Sequence, residues 1–537
     1  MATLRMNTRP DKRPTPATET TFFRAWWRHY LLISLFALWP VVSFAAANLT
    51  EDLHIVPLTA VFGVNLTMAV VGFHVLKLFF RSSRPERCAA AAAVGISALY
   101  LLHVVKIPLI SAGFYSHVNL IVAWTIVFAA LTVGAWVIFS SPRALGVLIS
   151  VGAVMVLMAG APVVHYAWSK AGQAEEAPES SSMAAAGPQA QDRPNVYYIL
   201  VDAYVRADEL LKNTGYDNGP FLGWLAEKGF NTLAKARTNY FRTHYSVPST
   251  LSMNYLFLPS ERRVRDEDEI WSIMKGRNRV IRKFRSLGYS YIYAGGRAWC
   301  TEVVDRCIAG TGFLRGETWR LIHNSPIPGV IFYLSGSLYT RLFAAHRGLD
   351  VDDVTAAIPS LRRRPRFVFY HEMAVHDSIY NSDCTYRREL AEEEALRVDN
   401  DARMLGSRSA YVATVECVNR KLKSLLSAIL AEDGQAIIVL TADHGSAFNN
   451  ADGAEGDDLL SNPAYLRERA AVLSSWRLPR RCRGLVYEGL SNVNHFKVLF
   501  ACLTGEKPDL LPDKTFAHDP GRFGVVVWVP EDVFAGQ

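Results

Sequence analysis

Charge is what the first third of this chain lacks. Between residues 29 and 168 acidic and basic side chains are nearly absent over long stretches, whereas they are plentiful after residue 190. The first part cannot present a water-soluble surface, so a wholly soluble protein is excluded. Cysteine is also sparse. There are seven, with no CxxC or CxxxH pattern, and this excludes a thiolate zinc site. No nucleic-acid-binding motif accompanies the basic clusters, among them Arg362-Arg363-Arg364. The net charge of +7 is therefore read as a solvated face or a contact with anionic headgroups, and nucleic acid is excluded as a partner. The first apolar stretch lies too deep in the chain, and is too closely followed by others, to be a cleaved signal peptide.

Five apolar stretches, at about 29–48, 55–80, 89–113, 118–140 and 144–168, are each long enough to cross a bilayer, which needs about 20 residues. Basic residues set the orientation. The N-terminal tail carries Arg5, Arg9, Lys12, Arg13, Arg24 and Arg28, the second connection Arg81, Arg84 and Arg87, and the fourth Arg143. The first connection, 48–54, is acidic, and the third, 111–119, has neither Lys nor Arg. The N-terminus is accordingly expected in the cytoplasm, and an odd number of spans places everything after residue 168 outside. His103 and Lys106, inside the third span, either line a lipid-headgroup cavity or, for the lysine, snorkel to the interface. The expected organisation is a basic cytoplasmic tail (1–28), a membrane domain (29–168), a flexible Ala/Ser/Glu/Pro-rich linker (169–193) and an extracytoplasmic catalytic domain (194–537).

The last segment predicts an α/β domain with a mostly parallel sheet. Asn195 to Val201, Tyr289 to Tyr293, Arg366 to Tyr370 and Ala436 to Leu440 read as buried strands. Tyr411 to Leu430 reads as a helix, with apolar residues at Val415, Val418, Leu422, Leu425, Leu426 and Ile429. Its six cysteines, Cys300, Cys307, Cys384, Cys417, Cys482 and Cys502, allow three disulfides outside the cytoplasm, with Cys300–Cys307 the best guess for a pair.

Polar residues come directly after three of the strands: Asp202 after the first, His371 and His376 after the third, Asp443 and His444 after the fourth. Sites in open α/β sheets lie beyond the carboxyl ends of the strands, so these residues can converge. Two carboxylates and an imidazole suit one divalent ion, zinc or manganese. Alone, Asp443-His444-Gly445 reads more readily as an ordinary strand-to-loop turn, and a matching carboxylate at another strand end favours the site. A nucleophilic hydroxyl is expected in Tyr240 to Leu256, where Pro248 suggests a helix start. A helix N-terminus suits an anionic substrate.

These segments resemble the alkaline phosphatase/sulfatase superfamily, and more closely its membrane-anchored members, the lipid A phosphoethanolamine transferases and lipoteichoic acid synthases. The resemblance rests on Thr243-His-Tyr-Ser246-Val-Pro248, on Asp443-His444-Gly445, on His371-Glu-Met-Ala-Val-His376, on Asp202, and on five spans before the catalytic domain. It implies a bacterial inner-membrane protein with a periplasmic catalytic domain. It also implies that Asp202, Thr243, Asp443 and His444 hold one divalent ion, with Thr243 as nucleophile and His376 contacting the phosphate or protonating the leaving group. His371, Arg242 and His244 are further substrate-binding candidates. The implied reaction moves a phosphoethanolamine or phosphoglycerol head group from a membrane phospholipid to an envelope glycan or lipid. The histidine those transferases carry shortly after Asp-His-Gly is absent here, since none occurs between His444 and His495. The sulfatase pattern Cys/Ser-x-Pro-Ser-Arg is partly matched by Ser246-Val-Pro248-Ser249, with Thr250 in place of Arg. A hydrolase of the same superfamily and an inactive glycan-binding protein are the alternatives.

Overall fold

The computed structural model describes residues 19–48, 55–101, 117–176, 193–257, 267–296, 299–301, 303–309, 349–361, 365–387, 408–449, 462–518 and 526–535, with isolated positions between 321 and 338. His103, Lys106 and Arg362-Arg363-Arg364 lie outside the described residues. The chain divides into two compact units, with the main boundary between Gly172 and Gln173.

The N-terminal unit is helical: α1 (Glu19–Ala47), α2 (Ile55–Phe79), α3 (Pro85–Ala98), α4 (His117–Ile138) and α5 (Pro142–Glu176). Helices therefore occur at all five expected places. Three stretches, Trp26–Ala47, Leu58–Phe79 and Pro142–Trp168, are long and apolar enough to cross a membrane, and Val122–Ile138 is a shorter apolar helix. α3 continues as a 3-10 turn to Leu101, and the rest of the third expected span lies outside the described residues. α5 runs to Glu176, so the start of the stretch read as linker is helical. The small side chains Ala89, Ala90 and Ala93 of α3 let helices pack closely against Leu32, Ile33 and Phe36 of α1. Side chains hold backbone carbonyls across the helices, among them Ser97 Oγ to Phe36 O (2.7 Å), Asn65 Nδ2 to Ala37 O (3.3 Å) and Trp124 Nε1 to Ala98 O (3.2 Å). Large apolar side chains such as Leu157 and Met158 stay about 70% exposed (70% and 72%), which fits a lipid-facing surface.

The C-terminal unit is built on a seven-stranded sheet of order β2-β7-β6-β1-β5-β3-β4. The strands are β1 (Val196–Val201), β2 (Asn231–Thr232), β3 (Ser290–Ala294), β4 (Arg306–Ile308), β5 (Arg366–Glu372), β6 (Ile437–Thr441) and β7 (Ser474–Arg477). The five strands β6-β1-β5-β3-β4 run parallel, and β7 is antiparallel to β6. Continuous burial along β1, β5 and β6 is what apolar runs covered on both faces require. In register, Leu200 of β1 stands beside His371 of β5 and Thr441 of β6, so three strands end together. A separate hairpin pairs β8 (Phe516–His518) with β9 (Val526–Trp528).

Four helices of this unit supply residues to the strand ends or to the core beneath them: α6 (Thr243–Ser252), α7 (Arg408–Glu432), α8 (Pro463–Ala470) and α9 (His495–Thr504). α7 buries Val415, Val418, Leu422, Leu425, Leu426 and Ile429, the stripe its periodicity predicts. α6 corrects an expectation. It begins at Thr243, five residues before Pro248, and the proline sits inside it. Proline is tolerated there because only the His244 carbonyl loses a donor, and the helix ends four residues later, before the left-handed Met253. Six cysteines form three disulfides, Cys300–Cys307, Cys384–Cys417 and Cys482–Cys502, and Cys88 is free and buried.

Two local constraints beside the strand ends can be tested. A Cβ on Gly445 would lie 2.0 Å from the Glu468 carbonyl oxygen and 2.7 Å from that of Ala471, both backbone atoms that cannot swing away. Gly445→Ala should destabilise the domain by about 1–3 kcal/mol, read as a lower midpoint in urea with an unchanged slope. Glu372 is fully buried. Burial pushes its carboxyl up to about 7, against hydrogen bonds donated by Tyr370 Oη and the Ala374 amide. A raised carboxyl stabilises the fold below its unfolded value and loses that contribution as pH rises through about 7. The wild-type unfolding free energy should therefore fall by about 3 kcal/mol between about pH 4.5 and 7, read from urea unfolding across that range, and Glu372→Gln should lack this fall.

Candidate metal centre

The three central strand ends bring their polar residues together. The Asp202 amide donates to the Glu372 carbonyl (2.8 Å), which fixes the aspartate at the end of β1 beside β5. The next residue, Ala203, has a φ of 58°. This left-handed turn costs a non-glycine residue about 1–2 kcal/mol. It is held by Tyr411 Oη, which donates to the Ala203 carbonyl (2.7 Å), and it aims the Ala203 amide at Asp443 Oδ1 (3.2 Å). The His444 amide donates to the same oxygen (3.0 Å). One carboxylate oxygen of Asp443 is thus occupied by backbone amides.

His444 has its tautomer set by a carbonyl. Nδ1 lies 3.0 Å from Gly445 O, which can only accept, so Nδ1 carries the proton and Nε2 presents a lone pair. That lone pair meets acceptors: Asp202 Oδ1 at 3.5 Å, Asp443 Oδ2 at 3.5 Å and Thr243 Oγ1 at 3.4 Å. Asp202 Oδ1 and Asp443 Oδ2 are buried and accept no hydrogen bond. Two orphaned carboxylate oxygens around an imidazole lone pair form an arrangement that a divalent cation satisfies. The spacing fits as well. A tetrahedral ion with bonds of about 2.0–2.1 Å sets its ligands about 3.3–3.4 Å apart.

Thr243 stands at the first position of α6. Its hydroxyl donates to Asp202 Oδ2 (3.1 Å). The residues expected to share one ion, Asp202, Thr243, Asp443 and His444, are therefore neighbours. His376, in the turn after β5, joins them: Asp202, His376 and His444 each offer an atom within 4.8 Å of the others. Burial alone would lower the His376 imidazole, but Asp202 and the Asp377 carboxylate (2.8 Å from Nδ1) push it up to about 9. It is a cation at neutral pH. Burial alone would raise the Asp202 carboxyl, but His376, His371 and His444 hold it well below the usual carboxylate range. Burial, and then the Arg469 guanidinium, keep His444 below the ordinary imidazole value and so neutral, as a metal ligand must be.

The other candidates lie around this cluster. His371 is buried, with Nε2 3.2 Å from Asp202 Oδ2 and its ring 5.2 Å from that of Trp299. It holds the aspartate and is itself only 6% exposed. Arg242, the residue before α6, is exposed. His244 lies against Tyr245, ring centroids 4.1 Å apart, and burial pulls it down to about 4. Ser246 points elsewhere: it is buried and bonded to Thr238 Oγ1 (3.0 Å). His495 packs in the core against Tyr198 of β1 (3.0 Å), and burial drops it to about 3.

Glu468 and Arg469, at the end of α8, carry no expectation from the sequence. Glu468 accepts hydrogen bonds from Ser446 Oγ (2.5 Å), the Phe448 amide (2.7 Å) and the Asn449 amide (2.8 Å), so it shapes the loop after His444. Arg469 donates to the Gly445 carbonyl (2.7 Å) and to the Phe241 carbonyl. In sequence, Leu466-Arg-Glu-Arg-Ala470 reads as a solvated helix face, and no local signal marks its charges as buried.

The model of the sulfatase family matches residues 194–472 of this chain. No curated protein matches it. Among solved structures it is similar to the C-terminal periplasmic domain of EcEptC from Escherichia coli, at 11% identity over 63% of this chain and 94% of that one, with a TM-score of 0.38. It is also similar to the soluble domain of lipooligosaccharide phosphoethanolamine transferase A from Neisseria meningitidis (11% identity, 58% and 88% covered, TM-score 0.36). A third is a putative sulfatase from Bacteroides thetaiotaomicron (12% identity, 61% and 78% covered, TM-score 0.34). The family match covers more than half of the chain, from the residue before Asn195 and β1 to the residues just after Arg469, and takes in every member of the cluster at the strand ends: this protein belongs to the sulfatase family of enzymes.

Proposed function

We propose that the protein transfers a phospholipid-derived head group, phosphoethanolamine or phosphoglycerol, to an envelope glycan or lipid through a phospho-threonine intermediate. The observation that carries this reading is the Thr243 hydroxyl, placed at the start of α6 and facing two orphaned carboxylate oxygens and the His444 lone pair. Asp202, Asp443, His444 and Thr243 would hold one divalent ion, zinc or manganese. When bound, it supplies Lewis-acid stabilisation of the phosphoryl oxygens and lowers the pKa of the hydroxyl.

The protein's own groups do the rest. The Thr243 proton is directed at Asp202 Oδ2, which leaves oxygen lone pairs for attack on phosphorus. As the Oγ1–P bond forms, the P–O bond to diacylglycerol breaks, and His376, charged at neutral pH, gives its proton to the leaving oxygen. The acceptor hydroxyl then attacks phosphorus and gives its proton to His376, the Oγ1–P bond breaks, and Thr243 Oγ1 takes back the proton that Asp202 Oδ2 accepted in the first step. Amides at the start of α6 favour the anionic substrate. Arg242 and His244 flank the nucleophile and bind the outer oxygens.

Three disulfides in the C-terminal unit support an extracytoplasmic location, because such bonds persist in oxidising compartments. The membrane helices on the same chain support a lipid donor at the inner membrane. A hydrolase with water as acceptor would use the same residues. The sulfatase reading, in which Ser246 opens the Cys/Ser-x-Pro-Ser-Arg pattern, is disfavoured by the burial of Ser246 and its bond to Thr238. A glycan-binding protein without turnover is disfavoured by the complete ligand set.

Full-length protein incubated with head-group-labelled phosphatidylethanolamine or phosphatidylglycerol should form a covalent adduct at Thr243 and release diacylglycerol. Thr243→Ala should form no adduct and lose at least about 100-fold in turnover. Chelation should abolish both signals, and added zinc or manganese should restore them. An undiminished adduct in Thr243→Ala would refute the assignment.

A further inference from the structure

The two halves of the site come from different parts of the chain, and two buried side chains touch both: Thr238 Oγ1 bonds the Asp443 carbonyl and Ser246 Oγ in the middle of α6, and Arg469 reaches the backbone next to His444 and just before Thr243. Asp443 and His444 sit on the loop after β6, and Thr243 on the first turn of α6. Among the described residues no backbone–backbone hydrogen bond joins that loop to that turn. The Arg469 guanidinium does: one Nη donates to the Gly445 carbonyl, next to His444, and the other to the Phe241 carbonyl, two residues before Thr243. The Gly445 amide in turn donates to the Arg469 carbonyl (2.9 Å). The Gly445 carbonyl that receives Arg469 is also the one that fixes the His444 tautomer. Arg469 is only 9% exposed and has no carboxylate partner among the described residues. Its charge is spent on backbone carbonyls, a use that a planar, forked guanidinium meets and a lysine ammonium does not.

We propose that Arg469 is a positioning residue for the metal centre: it sets the separation between the His444 lone pair and the Thr243 hydroxyl. This rests on the metal-and-threonine reading of the site. Moving either carbonyl displaces one ligand against the other, so removal of the clamp is felt first as weaker ion binding.

The test uses full-length protein in detergent, with zinc affinity measured by competition with a chromophoric chelator and folding followed by thermal melting. Arg469→Ala should weaken zinc binding at least about tenfold, and millimolar guanidinium should recover part of the loss. Arg469→Lys keeps a buried cation but cannot span both carbonyls, and it should fold and still bind zinc several-fold more weakly. Arg366→Ala is the control. Arg366 is fully buried and clamps Tyr197 Oη and the Leu361 carbonyl at the opposite end of the sheet. That variant should melt earlier yet bind zinc as the wild type does. Wild-type zinc affinity in a folded Arg469→Lys overturns the clamp and leaves the metal reading standing. An equal loss of affinity in Arg366→Ala also overturns it, because the effect is then general destabilisation. Wild-type protein that binds no zinc or manganese overturns the metal reading itself, and the clamp with it.

Discussion

Two carboxylates buried against one imidazole lone pair set the terms for everything around them. Asp202 Oδ1 and Asp443 Oδ2 each lie 3.5 Å from His444 Nε2, so they are within about 7 Å of each other. At an effective dielectric of about 20, two unit charges at that distance repel by about 2 kcal/mol. Each aspartate also has a buried oxygen without a hydrogen-bond partner. The protein meets this load in parts. Backbone amides occupy the second oxygen of Asp443, and His371 and Thr243 occupy that of Asp202. His376 carries a positive charge beside them. What remains uncompensated is the gap between three lone pairs, and a divalent cation fits it.

The sheet makes this cluster possible. Parallel strands end in the same direction, and β6, β1 and β5 are adjacent in the sheet although their order in the chain is β1, β5, β6. Residues 202, 371 and 443 therefore meet without any long side chain having to reach across. Tyr411, from α7, adds a bond to the Ala203 carbonyl that helps sustain the left-handed turn there. The strain of that turn and the tight packing around Gly445 are both local costs that the packed sheet can sustain.

Much of this is legible in the residues alone. The four strands named from apolar runs are all present, with ends shifted by one or two residues, because buried parallel strands leave an uninterrupted hydrophobic signature. The polar residues directly after them stand out for the same reason. Less legible is the start of α6: Pro248 suggests a first turn, but the helix tolerates it at an interior position and begins at Thr243. Glu468 and Arg469 are illegible. A short helix with charges at its end looks solvated, and only tertiary packing reveals that both charges bind backbone groups of a distant loop. The extension of α5 to Glu176 escapes a reading by periodicity because its last turns are polar and carry no apolar stripe.

The proposed ligands are separated by as many as 242 positions, from Asp202 to His444. An unfolded chain holds no approximation of such a site, so every increment of ion affinity is also an increment of folding free energy. At a free ion concentration one hundred times the dissociation constant this amounts to about 2.7 kcal/mol, a large share of the stability of an ordinary domain. Scarcity of the ion in the envelope would then thin the population of intact molecules, and proteolysis would register the shortage alongside any slowing of turnover.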